Sequence, residues 1–296
     1  MAHRYLVIAN KTGQLGNRLV VWAHLMGAGF ERGWTVLNPA FDEYAPDFEA
    51  SAGAWLEAGA RSRLTPPQWA RRGLFWANRL GYKLASLAHR IPGSPIGWAK
   101  AANTLHYDLR DLLDRAEMRG WQLVFTQNYH FREHAWCARH AQRIRSLLLP
   151  VRHHREPAEA ALRSARARAE VVIGVHIRHG DYRQHLGGRF FYDLPVYRQL
   201  MHSVLPLHAG RRVGFLVCSN GVAGPDDFAG LETCRGPGGV VSDLHALSLC
   251  DAVMEPPSSF SAWAAFQGNR PYWMIEEPRP ATATSFVVQP SPDPKY

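Results

Sequence analysis

Strand-like and helix-like runs alternate along this chain, and they do so twice over. The first series opens with RYLVIA, a loop KTGQLGN, an amphipathic helix over residues 18–32 and a strand WTVLN. That order is the β-loop-α-β rhythm of a Rossmann-like half. Residues 48–106 are helical in pattern but broken by PP, PG and SP, and a strand WQLVFTQ and a helix over residues 131–149 follow. The stretch VRHHREPAEAALRSARARAE, charged and Ala-rich, reads as a linker running into a connecting helix. The alternation then restarts: VVIGVHI, a helix over residues 194–205, RVGFLVCS, a strand GGVV, a helix DLHALSLC, AVME, a PPSS loop, a helix FSAWAAFQG and YWMIEE. The expected fold is α/β, with two Rossmann-like domains, residues 1–155 and 156–296, facing a central cleft.

The run Val171, Val172, Ile173, Val175, Ile177 suits an interior strand packed on both faces. It ends in His176, Arg178, Gly180 and Asp181, polar chemistry at the C-terminal end of a strand, where open α/β sheets place their ligands. Arg178 can hold a diphosphate through paired N–H donors, and His176, one side-chain period earlier, projects from the same strand face. Asp181 either orients Arg178 or accepts a proton. The competing reading is a strand-end salt bridge between Arg178 and Asp181 and a core histidine at position 176.

Two further stretches carry the same kind of signal. In the first loop, Gly13, Gly16 and Asn17 stand between a strand and a helix N-terminus, where a phosphate or a sugar hydroxyl can approach the backbone. G-x-x-G alone is also an ordinary tight turn. In SDLHALSLCDAVMEPPSSFSAWAAFQG, Ser242 or Asp243 is placed to cap one helix, and a second helix opens at Ser258, Ser259 and Phe260 directly after a strand. Such a start presents hydroxyls and N–H groups to phosphate oxygens, unless it is simply a cap after a Pro-Pro stop.

Composition limits the alternatives. At 46% hydrophobic over 296 residues the chain is globular, and no run approaches the ~18 apolar residues of a spanning helix. MAHRYLVIANKTGQ reaches a Gly-rich loop before a signal-peptide core can form, and Cys137, Cys218, Cys234 and Cys250 show no CxxC spacing, so a cytoplasmic protein is expected. The net charge of +9 favours an anionic partner. Residues 58–107 contain no Asp or Glu but carry Arg61, Arg63, Arg71, Arg72, Arg79, Lys83, Arg90 and Lys100. Within them Trp69, Trp76, Leu80, Leu84 and Leu87 recur at helical spacing, which describes either a helix lying on an anionic bilayer or a packing helix with a solvated basic face.

Taken in order, the three motif stretches resemble the GDP-fucose-dependent fucosyltransferases of the α-1,2, α-1,6 and protein O-fucosylating group. That family pairs an N-terminal G-x-x-G-N loop with a central H-x-R-x-G-D-Y stretch and a late D-L-x-x-L-S-x-x-D followed by a Ser/Phe-rich helix start. Here they stand as Gly13 to Asn17, His176 to Tyr182, and Asp243 to Phe260. The resemblance implies a GT-B-like fold, an inverting reaction, no metal and no cofactor beyond GDP-fucose as donor. It places the acceptor on the side of the N-terminal domain and the GDP-sugar in the C-terminal one. By resemblance His176 and Asp243 face the guanine or ribose. Arg178 holds the β-phosphate, Ser258, Ser259 and Phe260 make the second diphosphate contact, and Gly16 and Asn17 line the cleft from the N-terminal half.

Many relatives carry a second arginine after the first; this chain has His179 there, with Arg183 and Arg189 as substitutes. The general base is Asp181 or Asp193, or acceptor activation proceeds without one. The expected partners are a GDP-sugar, a glycan acceptor and the anionic inner membrane face, with no nucleic acid. Two other functions fit parts of the sequence. One is a GDP-sugar or anionic-glycan binder without turnover, suggested by His179 and the missing base. The other is a zinc peptidase, because His130, Glu133 and His134 match H-x-x-E-H on the helix expected there, with Cys137 and His140 further along it. No third zinc ligand is identifiable, and a packing helix explains the same residues.

Overall fold

The computed structural model describes residues 3–59, 65–102, 106–221 and 224–293. The chain forms two compact units, Met1–Val151 and Arg152–Tyr296. In the first, β1 (Tyr5–Ile8), α1 (Leu15–Arg32) and β2 (Thr35–Leu37) realise the opening β-loop-α-β. There follow α2 (Glu49–Ala52), α3 (Gln68–Ala88), β3 (Ile96–Lys100), β4 (Tyr107–Asp108), α4 (Leu109–Met118), β5 (Leu123–Gln127), β6 (Phe131–Arg132), α5 (His134–Arg139) and α6 (Ala141–Leu147). The main sheet has the order β2-β1-β5-β3 with every pairing parallel. One of its faces meets α3, where Ala85 and Tyr82 pack with Val7 and Phe125. Within the same unit α1 packs against α4, α5 and α6. It approaches α5 closely because Gly27 has no side chain; a β-carbon there would lie 2.8 Å from the Cys137 backbone.

The single helix expected over residues 131–149 does not form. Phe131–Arg132 is a strand, and the Glu133 carboxylate starts α5 by accepting from the N–H groups of Ala135 and Trp136 at 3.1 and 3.4 Å. That carboxylate is also bound by Arg110 at 3.1 and 3.2 Å. His130 therefore precedes a strand while His134 opens a helix, so the H-x-x-E-H residues do not share the helical face that a zincin-type site needs.

The second unit begins with α7 (Arg152–Arg166), which occupies the stretch read as a linker, so residues 152–155 belong to it. Then come β7 (Val171–Ile177), α8 (Leu194–Val204), β8 (Val213–Ser219), β9 (Glu232–Arg235), α9 (Val240–Leu249), β10 (Ala252–Glu255), α10 (Ser259–Gly268), β11 (Pro271–Met274) and β12 (Val287–Val288). The six-stranded sheet has the order β12-β11-β10-β7-β8-β9 and is parallel except for the edge strand β12. Alternation along β7 divides its side chains between two faces. Ile173, Val175 and Ile177 join Tyr197, Leu200 and Met201 of α8 in one core, while on the other face Gly174 lies against Leu247 and Cys250.

Two expectations fail around α9. GGVV is not a strand, because Gly238 and Gly239, at φ 82° and 86°, turn the chain into the helix. The strand before that turn is Glu232–Arg235 instead. The N-cap is Gly239, so neither Ser242 nor Asp243 caps α9; Asp243 sits in its first turn.

The contact between α9 and α10 depends on a glycine. A β-carbon on Gly268, at the end of α10, would overlap the carbonyl oxygen of Ser248 in α9. Gly268→Ala is expected to destabilise the protein by about 2–3 kcal/mol. The measurement is a urea melt, in which the midpoint falls while the slope stays constant.

Candidate active site

The chain moves from β7 through α8 to β8 and β9, then returns through α9 to β10 on the opposite side of β7. The crevice opened by such a reversal lies at the C-terminal ends of the strands flanking it, here β7 and β10. Met254 pairs with Val175, which sets Glu255 level with His176.

His176 and Glu255 are both buried, Glu255 completely. The His176 Nδ1 lies 2.7 Å from Glu255 Oε1. With Nδ1–H donating to the carboxylate, Nε2 is the nitrogen left to face a ligand. The ring rests on Phe260 of α10, with centroids 4.6 Å apart. Glu255 Oε2 has no hydrogen-bond partner among the described residues.

Arg178 follows on the loop. Its Nε and Nη2 donate to Asp181 Oδ1 and Oδ2 at 3.0 and 2.7 Å, a two-point grip, and its guanidinium lies 4.6 Å from the centre of the Tyr182 ring. The Tyr182 hydroxyl donates to the Pro257 carbonyl, which ties this loop to the segment leading into α10. The opposite edge of the guanidinium, Nη1, reaches Ser258 Oγ at 3.5 Å. Ser258 caps α10 by accepting from the Phe260 N–H at 3.1 Å. Arg178 thus presents its Nη1 edge beside a helix N-terminus, a combination suited to phosphate oxygens. The hydrogen bond from Arg178 holds the Asp181 carboxyl below its usual range, outweighing the burial that acts the other way. A carboxylate held in this way is a weak base.

Asp243 sits one strand over. Its Oδ1 accepts from the Gly238 N–H at 2.8 Å, pinning the turn into α9. Burial raises its pKa, partly offset by that hydrogen bond. At the C-terminal ends of β8 and β9 a cavity of about 290 Å³ is lined by Ser219, Gly221, Phe228, Thr233, Cys234 and Arg235, among others. It lies near the lower end of the ~300–1,000 Å³ range of small-molecule sites.

His176, Arg178, Asp181, Ser258, Ser259 and Phe260 come together around β7, β10 and α10, with Asp243 beside them. Gly16 and Asn17 lie in the other unit, in the first turn of α1, and Gly13 there adopts φ 59°. His179 turns away from the phosphate edge: its Nε2 meets the Tyr192 carbonyl at 2.8 Å and its ring packs on Phe191. Arg183 and Arg189 stack on Phe191 and Phe190. Asp193 caps α8, accepting from the Val196 N–H at 3.2 Å.

Sequence reading missed two residues here. Asn220 accepts from the N–H groups of His179 and Gly180 at 2.9 and 3.4 Å and so shapes the loop after β7. Glu255 had a visible signal, a carboxylate ending the apolar strand AVME, the same pattern that drew attention to His176.

A doubly wound unit whose polar residues gather at its switch point is a nucleotide-binding type of α/β fold. No family model and no curated protein matches the chain. Solved structures do share its fold. Arabidopsis thaliana FUT1, solved as an arginine-to-lysine mutant in complex with GDP, matches with a TM-score of 0.60 and 12% identity over 92% of this chain and 70% of that one. NodZ from Bradyrhizobium, a fucosyltransferase, matches at 0.53 and 16% over 89% and 93%. POFUT1 in complex with GDP matches at 0.51 and 11% over 91% and 96%.

Proposed function

We propose that this protein is an inverting fucosyltransferase that moves L-fucose from GDP-fucose to a hydroxyl of a glycan acceptor. The observation that carries the reading is the Arg178 guanidinium, held on one edge by Asp181 and aimed with the other at the N-terminus of α10, at the switch point of the second sheet. The shared fold with fucosyltransferases bound to GDP supports the same donor.

In this reading the nucleoside lies near His176 Nε2 and Asp243, and the diphosphate lies between Arg178 and Ser258. The bond from fucose C1 to the β-phosphate oxygen breaks through an oxocarbenium-like state, and negative charge grows on the diphosphate. Arg178 and the N–H dipoles of α10 are already aimed at that charge, so stabilisation needs no metal ion. The acceptor oxygen attacks C1 from the opposite face, GDP leaves with the electron pair of the broken C1–O bond, and the acceptor proton passes to water as the new bond forms. Asp181 is engaged by Arg178 and Asp193 by α8, which favours acceptor activation without either carboxylate as the base. The acceptor class is a surface-polysaccharide or lipid-linked oligosaccharide precursor, made in the cytoplasm at the inner face of the membrane.

Calorimetry with a panel of nucleotide sugars, followed by GDP release from GDP-fucose, tests this reading. Preferential binding of GDP-sugars with release of GDP is expected; preference for UDP-sugars overturns it. Tight GDP-fucose binding with no release even in the presence of glycan acceptors identifies a binding protein instead.

A further inference from the structure

We infer that α3 is an interfacial helix that seats the protein on an anionic lipid surface. The inner face of α3 is already used: Phe75 and Ala85 are buried, the latter against the first sheet. Arg71 on that face is also buried, with its guanidinium spread over the carbonyls of Pro66, Ser51, Ala52 and Ala54. The outer face carries the two most exposed tryptophans of the unit among the described residues. Trp69 is 78% exposed and Trp76 67%, and Leu80, Leu84 and Leu87 continue the stripe, with Ile91 just past the helix end.

At 3.6 residues per turn, Trp69, Trp76, Leu80, Leu84 and Leu87 fall within a stripe about 80° wide. Arg72, Arg79 and Lys83 run along one edge of it, and Arg90 follows at the end. Among the described residues none of these four cations forms a salt bridge, whereas Arg4, Arg18, Arg32, Arg110 and Arg139 elsewhere in the first unit do. Arg61 and Arg63, counted with this segment in the sequence, lie outside the described residues.

This distribution selects the occupant. Tryptophans and leucines in one plane with cations beside them match the acyl boundary and phosphate layer of a membrane, where the helix lies flat. A second copy of the same face would bring more cations and no carboxylate, since residues 58–107 contain none. No helix among the described residues is long and apolar enough to cross a membrane, so this contact is peripheral.

The inference stands on α3 and not on the donor site, and the two are measured separately. The full chain is floated with vesicles of phosphatidylcholine plus phosphatidylglycerol, and with phosphatidylcholine alone, at low and high salt. Binding to the anionic vesicles, with a blue shift of tryptophan emission and weakening by salt, is expected. The variant Trp69→Ser/Trp76→Ser/Leu84→Ser is expected to lose at least about tenfold in partitioning. Arg72→Glu/Lys83→Glu is expected to lose the preference for anionic lipid. All of these side chains are exposed, so far-ultraviolet dichroism and GDP affinity of both variants should match the parent. No vesicle binding, equal binding by the triple variant, or conversion of a dimeric parent to a monomer by that variant without any lipid effect overturns the inference.

Discussion

Arg178→Ala is expected to lower fucosyl transfer by about 10²–10³-fold, the usual effect of removing one preorganised donor from a site of developing charge. The reason is geometric as well as electrostatic. Asp181 and the Tyr182 ring fix the guanidinium before any ligand arrives, and the segment holding Tyr182 is tied to Pro257, one residue before the α10 cap. The donor that meets the leaving diphosphate therefore does not have to reorganise during the reaction. Because the charge on the diphosphate is larger in the transition state, the loss should fall on kcat more than on GDP affinity. Arg178→Lys keeps a positive charge but has no planar fork to share between Asp181 and a phosphate, so it should recover only part of the rate. Initial rates of GDP release with acceptor present, alongside calorimetric GDP affinity, make the comparison. A rate within a fewfold of the parent for Arg178→Ala removes Arg178 from the reaction and the proposed function with it.

Glu255→Ala is expected to produce the second large effect, on both stability and donor binding. Its carboxylate is fully buried and is the hydrogen-bond partner of His176 Nδ1. Deleting one member of a buried pair of this kind costs about 3 kcal/mol, much of it from the polar group left behind. A released imidazole can also change tautomer or rotate off Phe260, and GDP affinity should fall about tenfold, equivalent to one lost hydrogen bond. Glu255→Gln retains a carbonyl oxygen to accept from Nδ1–H, and it should restore most of the binding while Glu255→Ala does not. Glu255 acts as a positioning residue in this account. Urea midpoints and GDP titrations on both variants test it, and an unchanged GDP affinity in Glu255→Ala rules the role out.

Local chemistry made much of the second unit legible. Val171 to Ile177 is apolar enough to be read as an interior strand, and the Pro-Pro stop with Ser258 marks the start of α10. Misreadings occurred where a residue's role depends on distant partners or on backbone sign. Val240 and Val241 look like strand residues, but positive φ at Gly238 and Gly239 places them in a helix. Glu232–Arg235 is too polar to resemble a strand and exists because β8 offers it an edge. In the first unit, Ile96–Lys100 was hidden in a segment broken by prolines and glycines.

The candidate site shows the same division. Arg178 and His176 could be found because they interrupt an apolar run. Glu255 interrupts the apolar run AVME in the same way, but its pairing with His176 depends on the register of β10 on β7, between residues 79 apart in sequence. The H-x-x-E-H pattern failed for a related reason. Glu133 is spent on capping α5 and binding Arg110, and a short pattern carries no information about such commitments.

The grip of Asp181 on Arg178 also bears on how the protein would clear its product. In the resting site the guanidinium is already partly neutralised, so a bound diphosphate must share it with a resident carboxylate. Asp181 acts as an internal competitor that is always at hand. In the proposed reaction it would moderate the hold on GDP while leaving the extra charge of the bond-breaking state free to draw on Arg178, which would favour turnover over retention.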